Sequence, residues 1–572
     1  MKDLYRCLDA YSPEMLEGLA RAWHAELPRA ESHDQATSLA EAMLAPGALD
    51  ALISALSPAA REALAAVVAE GGTVPGHRFA LRHGPIRRLG PSRLAREEPW
   101  VRPANAAEEL YYRGLIVRTY GTIDEHYGEV FAVPDQILAR LPPMEPPSER
   151  LAGHEVPLPA RVRSDGAAMI EDILAVLAHI RQQHVAPQRD AGDSPHVPPI
   201  PIAHVDLGSR LLGEREPDRL DLLRCLVWRL KLVHESRGAL RPTPRARAWL
   251  RLDDVRRHHA VVLAWRDDPH WDELERMPAI RQEDPGRGYN LVPARRALLE
   301  FLARYGGAWR ALDGVIADLK RDRSDYLRLD GDYDSWHLRD TATGAYLSGF
   351  EAWDRVEGAL ASFLFTHSLR QLGVVEIGED AEGQPTAMRL TTLGEALLTK
   401  RHTPDGTPQD GQAPPATIDD DMVIAIPVAG TMYERYQLER FANWLGQDGV
   451  ARYAITEDSI WRSYNTGVKT DQIDHFLRRT TGDRIPDVLA RNLLAWGGRF
   501  GRATMRHAVL LQTVDEATMK QIRSRPELRR LLGELMGPTT CLVEVRHADA
   551  VLERLKAMGI WPRLVGGGPR DD

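Results

Sequence analysis

ANAAEELYYRGLIVRTYG, residues 104–121, and EVFAVP, residues 129–134, decide how the first half of this chain is read. ANAAEELYYRG has the apolar spacing of a helix, LIVRTYG is a strand, a turn follows, and EVFAVP is the returning strand. Upstream, Ser57-Pro58 forms an N-cap and N1 pair ahead of the helix AAREALAAVVAEGG, and the short segment HRFALRHG lies between. The order is therefore helix, helix, helix, hairpin. Pro134 and QILARLP close the unit, and the proline-rich stretch after it reads as a linker.

That order recurs. A second unit has AAMIEDILAVLAHIRQQHV, LGSRLLG and PDRLDLLRCLVWRLKLV, then the strand-like HESRGALRPT and the closing RARAWLRL. A third has VPARRALLEFLARYG, WRALDGVIADLKRD and FEAWDRVEGALASFLFTHSLRQLG, then VVEIGED, a turn at Glu382-Gly383, and TAMRLTTLGEALL. Repetition of one supersecondary unit is the strongest organisational signal here. Three helices and a hairpin are the elements of a winged helix, so the expected fold is mainly α with small β-hairpins, an α+β class built from tandem winged helices. The expected boundaries are a helical lead-in at 1–56, winged helices at 57–141, 166–252 and 290–401, a linker at 142–165 and a connector at 253–289.

Residues 402–420 are proline, glycine and acid, the composition of a flexible linker. Residues 421–565 read as a separate α+β domain, with a buried strand at MVIAIPVAG, helices at YQLERFANWLG, TDQIDHFLRRTTG and IPDVLARNLLAWGGRFG, and strands at RHAVLLQTV and TTCLVEVRH; 566–572 is a tail. Its segments VIAIP, AITEDSIWRSYNTGVKTDQIDHFLRRTTGDRIPDVLARNLLAW, HAVLLQT and LVEVRHADAVLERLKAMGIWP, in that order and spacing, resemble the N-terminal or helicase-associated domain found with XPB-type helicases. The resemblance covers about a quarter of the chain. It implies DNA engagement, or docking beside a helicase, in repair or transcription.

Composition narrows the function classes. Hydrophobic residues are 43% and charged residues 27%, the balance of a globular protein, and no stretch approaches the ~18 apolar residues of a membrane span. Cys7, Cys225 and Cys541 stand far apart with neither CxxC nor ligand spacing, so free thiols in a reducing cytoplasm are expected and no metal or other cofactor. A phosphate-cradling loop needs G-x-x-x-x-G-K-[ST]. The nearest string, Gly533-Glu-Leu-Met-Gly537-Pro-Thr-Thr, has the wrong glycine spacing and no lysine, and reads as a turn ending a helix. Asp330-Gly-Asp332-Tyr-Asp334 opens like a calcium loop but continues with Ser335 and places Thr341 where the closing glutamate belongs, so a solvated acidic turn is expected. His258-His259 read as helix-surface histidines. No nucleophile motif is found, and the expectation is a non-enzyme.

Net charge is −9, unevenly spread: residues 1–420 carry 51 Lys+Arg against 63 Asp+Glu, residues 421–572 carry 22 against 19. A local basic face is enough to displace counterions from phosphates. The candidate DNA contacts are Arg78, Arg82, Arg87, Arg88, Arg93, Arg96 and Arg102 in the first unit and Arg224, Arg229 and Lys231 in the second. In the C-terminal part they are Arg478, Arg479, Arg484, Arg491, Arg499, Arg502 and Arg506, interleaved with Trp461, Tyr464 and Trp496. Arginine with aromatic residues can track a strand and stack on its bases, whereas the spacing of Trp496 from Leu493 and Leu489 points to tryptophans in the core, with the arginines acting alone. Against this, Glu108 and Glu109 on the presumed recognition helix would repel phosphates if they faced outward. The function expected is DNA binding or helicase accessory work, with a helicase or nuclease supplied in trans; the rival is a protein-interaction scaffold whose winged helices no longer touch DNA.

Overall fold

Hydroxyl caps followed by proline set several helix starts. Ser57 Oγ accepts the Ala60 amide at 3.1 Å ahead of helix Pro58–Ala69, and Thr243 Oγ1 accepts the Ala246 amide at 3.2 Å ahead of Pro244–Leu250. Proline at the first helical position lacks the amide that would be orphaned there, so cap and proline together fix where the helix begins. The computed structural model describes residues 3–28, 31–123, 126–144, 153–188, 198–201, 210, 211, 213, 216–283, 289–398, 414–500 and 508–565. Helices predominate, and the strands pair antiparallel in small sheets, an α+β composition. Two compact units result: Met1–Thr417 with Val423–Ala454, and Ile418–Met422 with Ile455–Asp572.

In the first unit, helix Pro58–Ala69 leads to strand Thr73–Pro75, helix Gly76–His83, helix Ala106–Tyr111 and the ribbon Val117–Ile123/His126–Ala132. The early strand pairs with the second ribbon strand, Thr73 opposite Ala132 and Pro75 opposite Val130. The third repeat has the same plan. Helices Val292–Leu302 and Leu312–Asp322 flank strand Arg310–Ala311, which pairs with the second strand of Val375–Glu379/Pro385–Leu390, Ala387 opposite Ala311. In the second repeat, helices Ala168–Gln182 and Pro217–Arg229 precede the hairpin Val233–Ser236/Ala239–Pro242, and Leu240 N donates to Val185 O at 2.8 Å where the other two repeats place their early strand.

The lead-in helices do not stand apart: Leu16, Leu19, Leu39 and Met43 share a core with Leu64, Val67, Leu110 and Leu115 of the first repeat. Gly18 is required at that contact, since a Cβ there would fall 2.3 Å from the Trp100 ring. A second core runs through both later repeats and takes in Met432 and Tyr436.

Three segments differ from the sequence reading. Arg161–Arg163, expected in a linker, pairs with Val375–Glu379, while Val156 N donates to Trp309 O and Ala311 N to His154 O; an open sheet edge has unpaired amides and carbonyls, and this strand satisfies them. YQLERFANWLG, expected as one helix, is divided: helix Met432–Leu438 stops, and Asn443–Asp448 is a strand with a bulge near Gly446, paired with Val450–Ala454, which pairs in turn with Val423–Pro427. These residues, 423–454, belong to the first unit instead of opening a separate domain at 421. Of the expected flexible linker, residues 402–413 lie outside the described residues.

Buried charge holds 423–454 in place. Arg435 meets Glu171 of helix Ala168–Gln182 in a bidentate pair, both distances 2.7 Å, with both side chains withdrawn from water. Burial works against the Arg435 charge and the Glu171 carboxylate overrides it, so the guanidinium is held above its ordinary value. Around the pair, the Arg181 guanidinium lies 3.6 Å from the Tyr436 ring centroid, and Gln182 and Arg210 donate to Glu439.

In the second unit, helices Glu457–Asn465, Thr470–Thr481 and Asp487–Arg499 precede strands Ala508–Gln512, Leu532–Gly537 and Thr540–Glu544, with the last strand in the middle of the sheet. Helices Glu516–Ser524, Pro526–Arg529 and Ala548–Ala557 accompany it, and Met519, Ile522, Leu528, Cys541, Val543, Val551 and Leu555 form the core. Gly533 to Gly537, read as a helix-ending turn, lies within the strand Leu532–Gly537.

Removing one partner of a buried pair leaves the other charge uncompensated, at about 3–5 kcal/mol. Arg435→Met is expected to lower the stability of the first unit by that amount in urea denaturation, and the double variant Arg435→Met/Glu171→Met to recover most of it. Equal stability of Arg435→Met and the parent would contradict the pairing.

Candidate nucleic-acid interface

The arginine run of the first repeat is largely matched by acids. Arg78 is buried and donates from Nε and Nη2 to Asp325 at 3.0–3.1 Å, with His77 Nε2 at 2.8 Å from the same carboxylate. Arg82 stands 3.8 Å from Asp322. Arg87 forks onto Glu108 at 2.6 and 2.7 Å and reaches Glu97 at 3.0 Å. Arg88 meets Glu129 at 3.4 Å, and Arg93 and Arg96 both meet Glu97, at 2.9 and 3.5 Å. Arg102 is exposed.

Glu108 and Glu109 do not face outward. Both are buried: Glu108 holds Arg87 and the Ala104 amide, and Glu109 accepts from the Ser57 amide and hydroxyl at 3.1 and 2.7 Å. Burial pushes the Glu108 carboxyl up, but the Arg87 guanidinium and the amides of Ala104 and Arg87 outweigh it and hold it below the ordinary range. The helix that begins at Ala106 thus turns its acids into the module, because its first turn must satisfy an arginine and a neighbouring helix cap.

In the second repeat Arg224 is buried, 2.6 Å from Asp221, and Arg229 pairs with Asp268 at 2.7 Å. Lys231 is exposed where the helix ends, in left-handed backbone at φ 56°. In the second unit Arg478 pairs with Asp474 at 2.8 Å and Arg499 with Glu457 at 3.0 Å. Arg479 lies over the Phe476 ring, Arg491 donates to the Asp487 carbonyl, and Arg484 is exposed. Arg502 and Arg506 lie outside the described residues. Neither of the tryptophans expected in the core is fully buried: Trp461 is 57% exposed and Trp496 half-buried, while Tyr464 stacks on Phe500 with centroids 4.2 Å apart.

Two features went unread in the sequence. Tyr120 and Tyr127 stack on the exposed face of the first ribbon, centroids 6.3 Å apart, both more than half exposed. Cross-strand alternation could have found them, since Tyr120 lies opposite Glu129 and Tyr127 opposite Thr122, on one face. A cavity of about 380 Å³ opens beside this ribbon, lined by Gly76, His77, Arg88, Arg118, Glu129 and Asp330 among others. Arg88 and Arg118 share the single carboxylate of Glu129 there, at 3.4 and 3.5 Å.

Asp330 and Asp332 accept from the amides of Asp332, Asp334 and Ser335, an acidic turn closed on its own backbone. Among the described residues no acid, histidine and cysteine group is arranged to hold a metal ion. His258 is a correction to the surface reading: it is buried, with Nε2 2.7 Å from the Leu372 carbonyl. Cys225 and Cys541 are buried free thiols, and Cys7 is half-buried. No single described helix is long and apolar enough to cross a membrane.

Residues 417–536 match a protein family described as the helicase conserved C-terminal domain, about a fifth of the chain. No curated protein matches the chain. The chain therefore carries a helicase-related segment, and its strands at 423–427 and 443–454 belong to the first compact unit while its helices from 457 onward belong to the second.

The first repeat also carries a pH-dependent group. Burial, then the Arg82 charge, lower the His83 pKa to about 4, and the ring packs 4.9 Å from Phe79. Unfolding restores a value near 6.5, so the neutral ring stabilises the fold fully above that pH, and the contribution is lost as pH falls toward 4. His83→Gln is expected to remove on the order of 2 kcal/mol of the acid-induced loss between pH 7 and 4.5, read from urea midpoints; an unchanged decline would contradict it. At the Asp325 contact, Asp325→Ala leaves buried Arg78 without its main partner and is expected to cost about 3 kcal/mol, seen as a lower melting temperature.

Proposed function

We propose that this chain is a DNA-binding or helicase-accessory protein in which the three repeats are winged helices, the helicase-related segment is an accessory domain of XPB type, and the motor is supplied in trans. The observation that carries the reading is the helicase-related segment at 417–536. Its support in the fold is the shared plan of the first and third repeats, in which a strand following the first helix joins the second strand of the ribbon that ends the repeat. In a winged helix the third helix enters the major groove and the ribbon touches the backbone. Two separate grips on one chain raise effective concentration at the DNA without tight individual sites.

One observation favours the second reading, a protein-interaction scaffold. Arg78, Arg82, Arg87, Arg88, Arg93 and Arg96 each stand beside a carboxylate, so the first repeat presents little uncompensated positive charge along that run, while its ribbon presents two tyrosines. Aromatic residues are enriched at protein interfaces.

Fluorescence anisotropy of the full chain with single-stranded, duplex and forked DNA, at several salt concentrations, tests the first reading. Binding that weakens linearly in log[salt] is expected. Absence of association with all three DNAs, together with capture of a helicase or nuclease, would replace it with the scaffold.

A further inference from the structure

The chain contains a basic corner that the candidate set above omits: RSRPELRR, residues 523–530, at the turn between helix Glu516–Ser524 and helix Pro526–Arg529. Arg525, Arg529 and Arg530 are exposed, and none of the three meets a carboxylate among the described residues. This contrasts with the first repeat, where acids accompany nearly every arginine of the run.

The corner is held rigidly. Ile522 and Leu528 are sunk in the core of the second unit, and Arg523, half-buried, donates to the Gly533 carbonyl at 3.3 Å. Arg529 N donates to Arg525 O at 2.9 Å, so these two arginines are one helical turn apart on one side of the chain. Glu527, two residues from each, falls on the other side of that turn by helix geometry; it is three residues before Arg530, but no ion pair joins the two among the described residues. Glu534, the next acid, is exposed on strand Leu532–Gly537.

We propose that Arg525, Arg529 and Arg530 form a contact for the backbone phosphates of DNA, a site that rests on the DNA-binding reading above and locates part of it in the second unit. Three exposed guanidiniums within six residues of one turn offer phosphates a local basic surface that displaces counterions, and each can fork onto a phosphate. A protein interface would centre on apolar or aromatic residues. Between Ser524 and Arg530 the exposed side chains are serine, arginine, proline and glutamate.

The test is anisotropy of the full chain with a 20-base-pair duplex between 50 and 200 mM salt. Arg525→Gln/Arg529→Gln/Arg530→Gln is expected to reduce the slope of log K on log[salt] by about 2–3 and to weaken binding at 100 mM by about tenfold or more. The control, Lys520→Gln/Arg546→Gln/Lys556→Gln, removes three cations of the same unit that are already paired with Glu516, Glu544 and Glu553, and is expected to leave the slope within about 1 of the parent. Circular dichroism melts confirm that both variants fold. A parent that binds and an Arg525/Arg529/Arg530 variant with the parental slope would overturn this site alone; equal losses in both variants would do the same, as would polyglutamate binding that needs the three arginines while duplex binding does not. A parent that binds no DNA would remove the functional reading and this site with it.

Discussion

The Arg435 to Glu171 pair joins residues 264 positions apart and ties the first part of the helicase-related segment, residues 423–454, to the repeats. Neither charge can be left in the interior alone, so the helix bearing Arg435 and the helix bearing Glu171 must come together whenever either is buried. Hydrophobic contact alone would not impose that constraint, because apolar surfaces tolerate several packings, whereas a bidentate pair fixes one. The same device recurs elsewhere in this unit: Asp325 receives His77 and Arg78, Arg219 meets Asp172, and Arg295 forks onto Glu273 while donating to nearby carbonyls. The first unit is thus an array of repeats held by buried ions as well as by two apolar cores.

That device has a functional consequence. An arginine committed to a buried carboxylate is unavailable to phosphate, and one beside a surface carboxylate brings less net attraction to a polyanion than a free one. Arginine density in a sequence is therefore a poor guide to nucleic-acid contact in a protein that uses arginine as an internal fastener. The relevant quantity is exposed cation without an acid beside it, and by that measure the turn after Ser524 differs from the run beginning at Arg78.

Much of the fold was legible because it is written in local patterns. The Ser57-Pro58 cap and the ribbon at 117–132 emerge where periodicity and turn chemistry place them. What was illegible depended on partners distant in sequence: Asp325 lies 247 residues from Arg78, and nothing near Glu108 discloses that it faces Arg87 and not solvent. Apolar patterning also misled where a helix buries more than one face, as with His258 in helix Asp254–Arg266, and where a short turn divides a helix from a strand, as between Leu438 and Asn443. The spacing of Trp496 from Leu489 and Leu493 says nothing of Trp461, which stands exposed on helix Glu457–Asn465.

Native-state hydrogen exchange in low urea tests most directly whether 423–454 is built into the repeat array. Amides of Val423–Pro427 and Val450–Ala454 should open with the same free energy and urea dependence as those of helix Ala168–Gln182, and separately from strands Ala508–Gln512 and Thr540–Glu544. Exchange of 423–454 together with those two later strands, and independently of 168–182, would contradict the account.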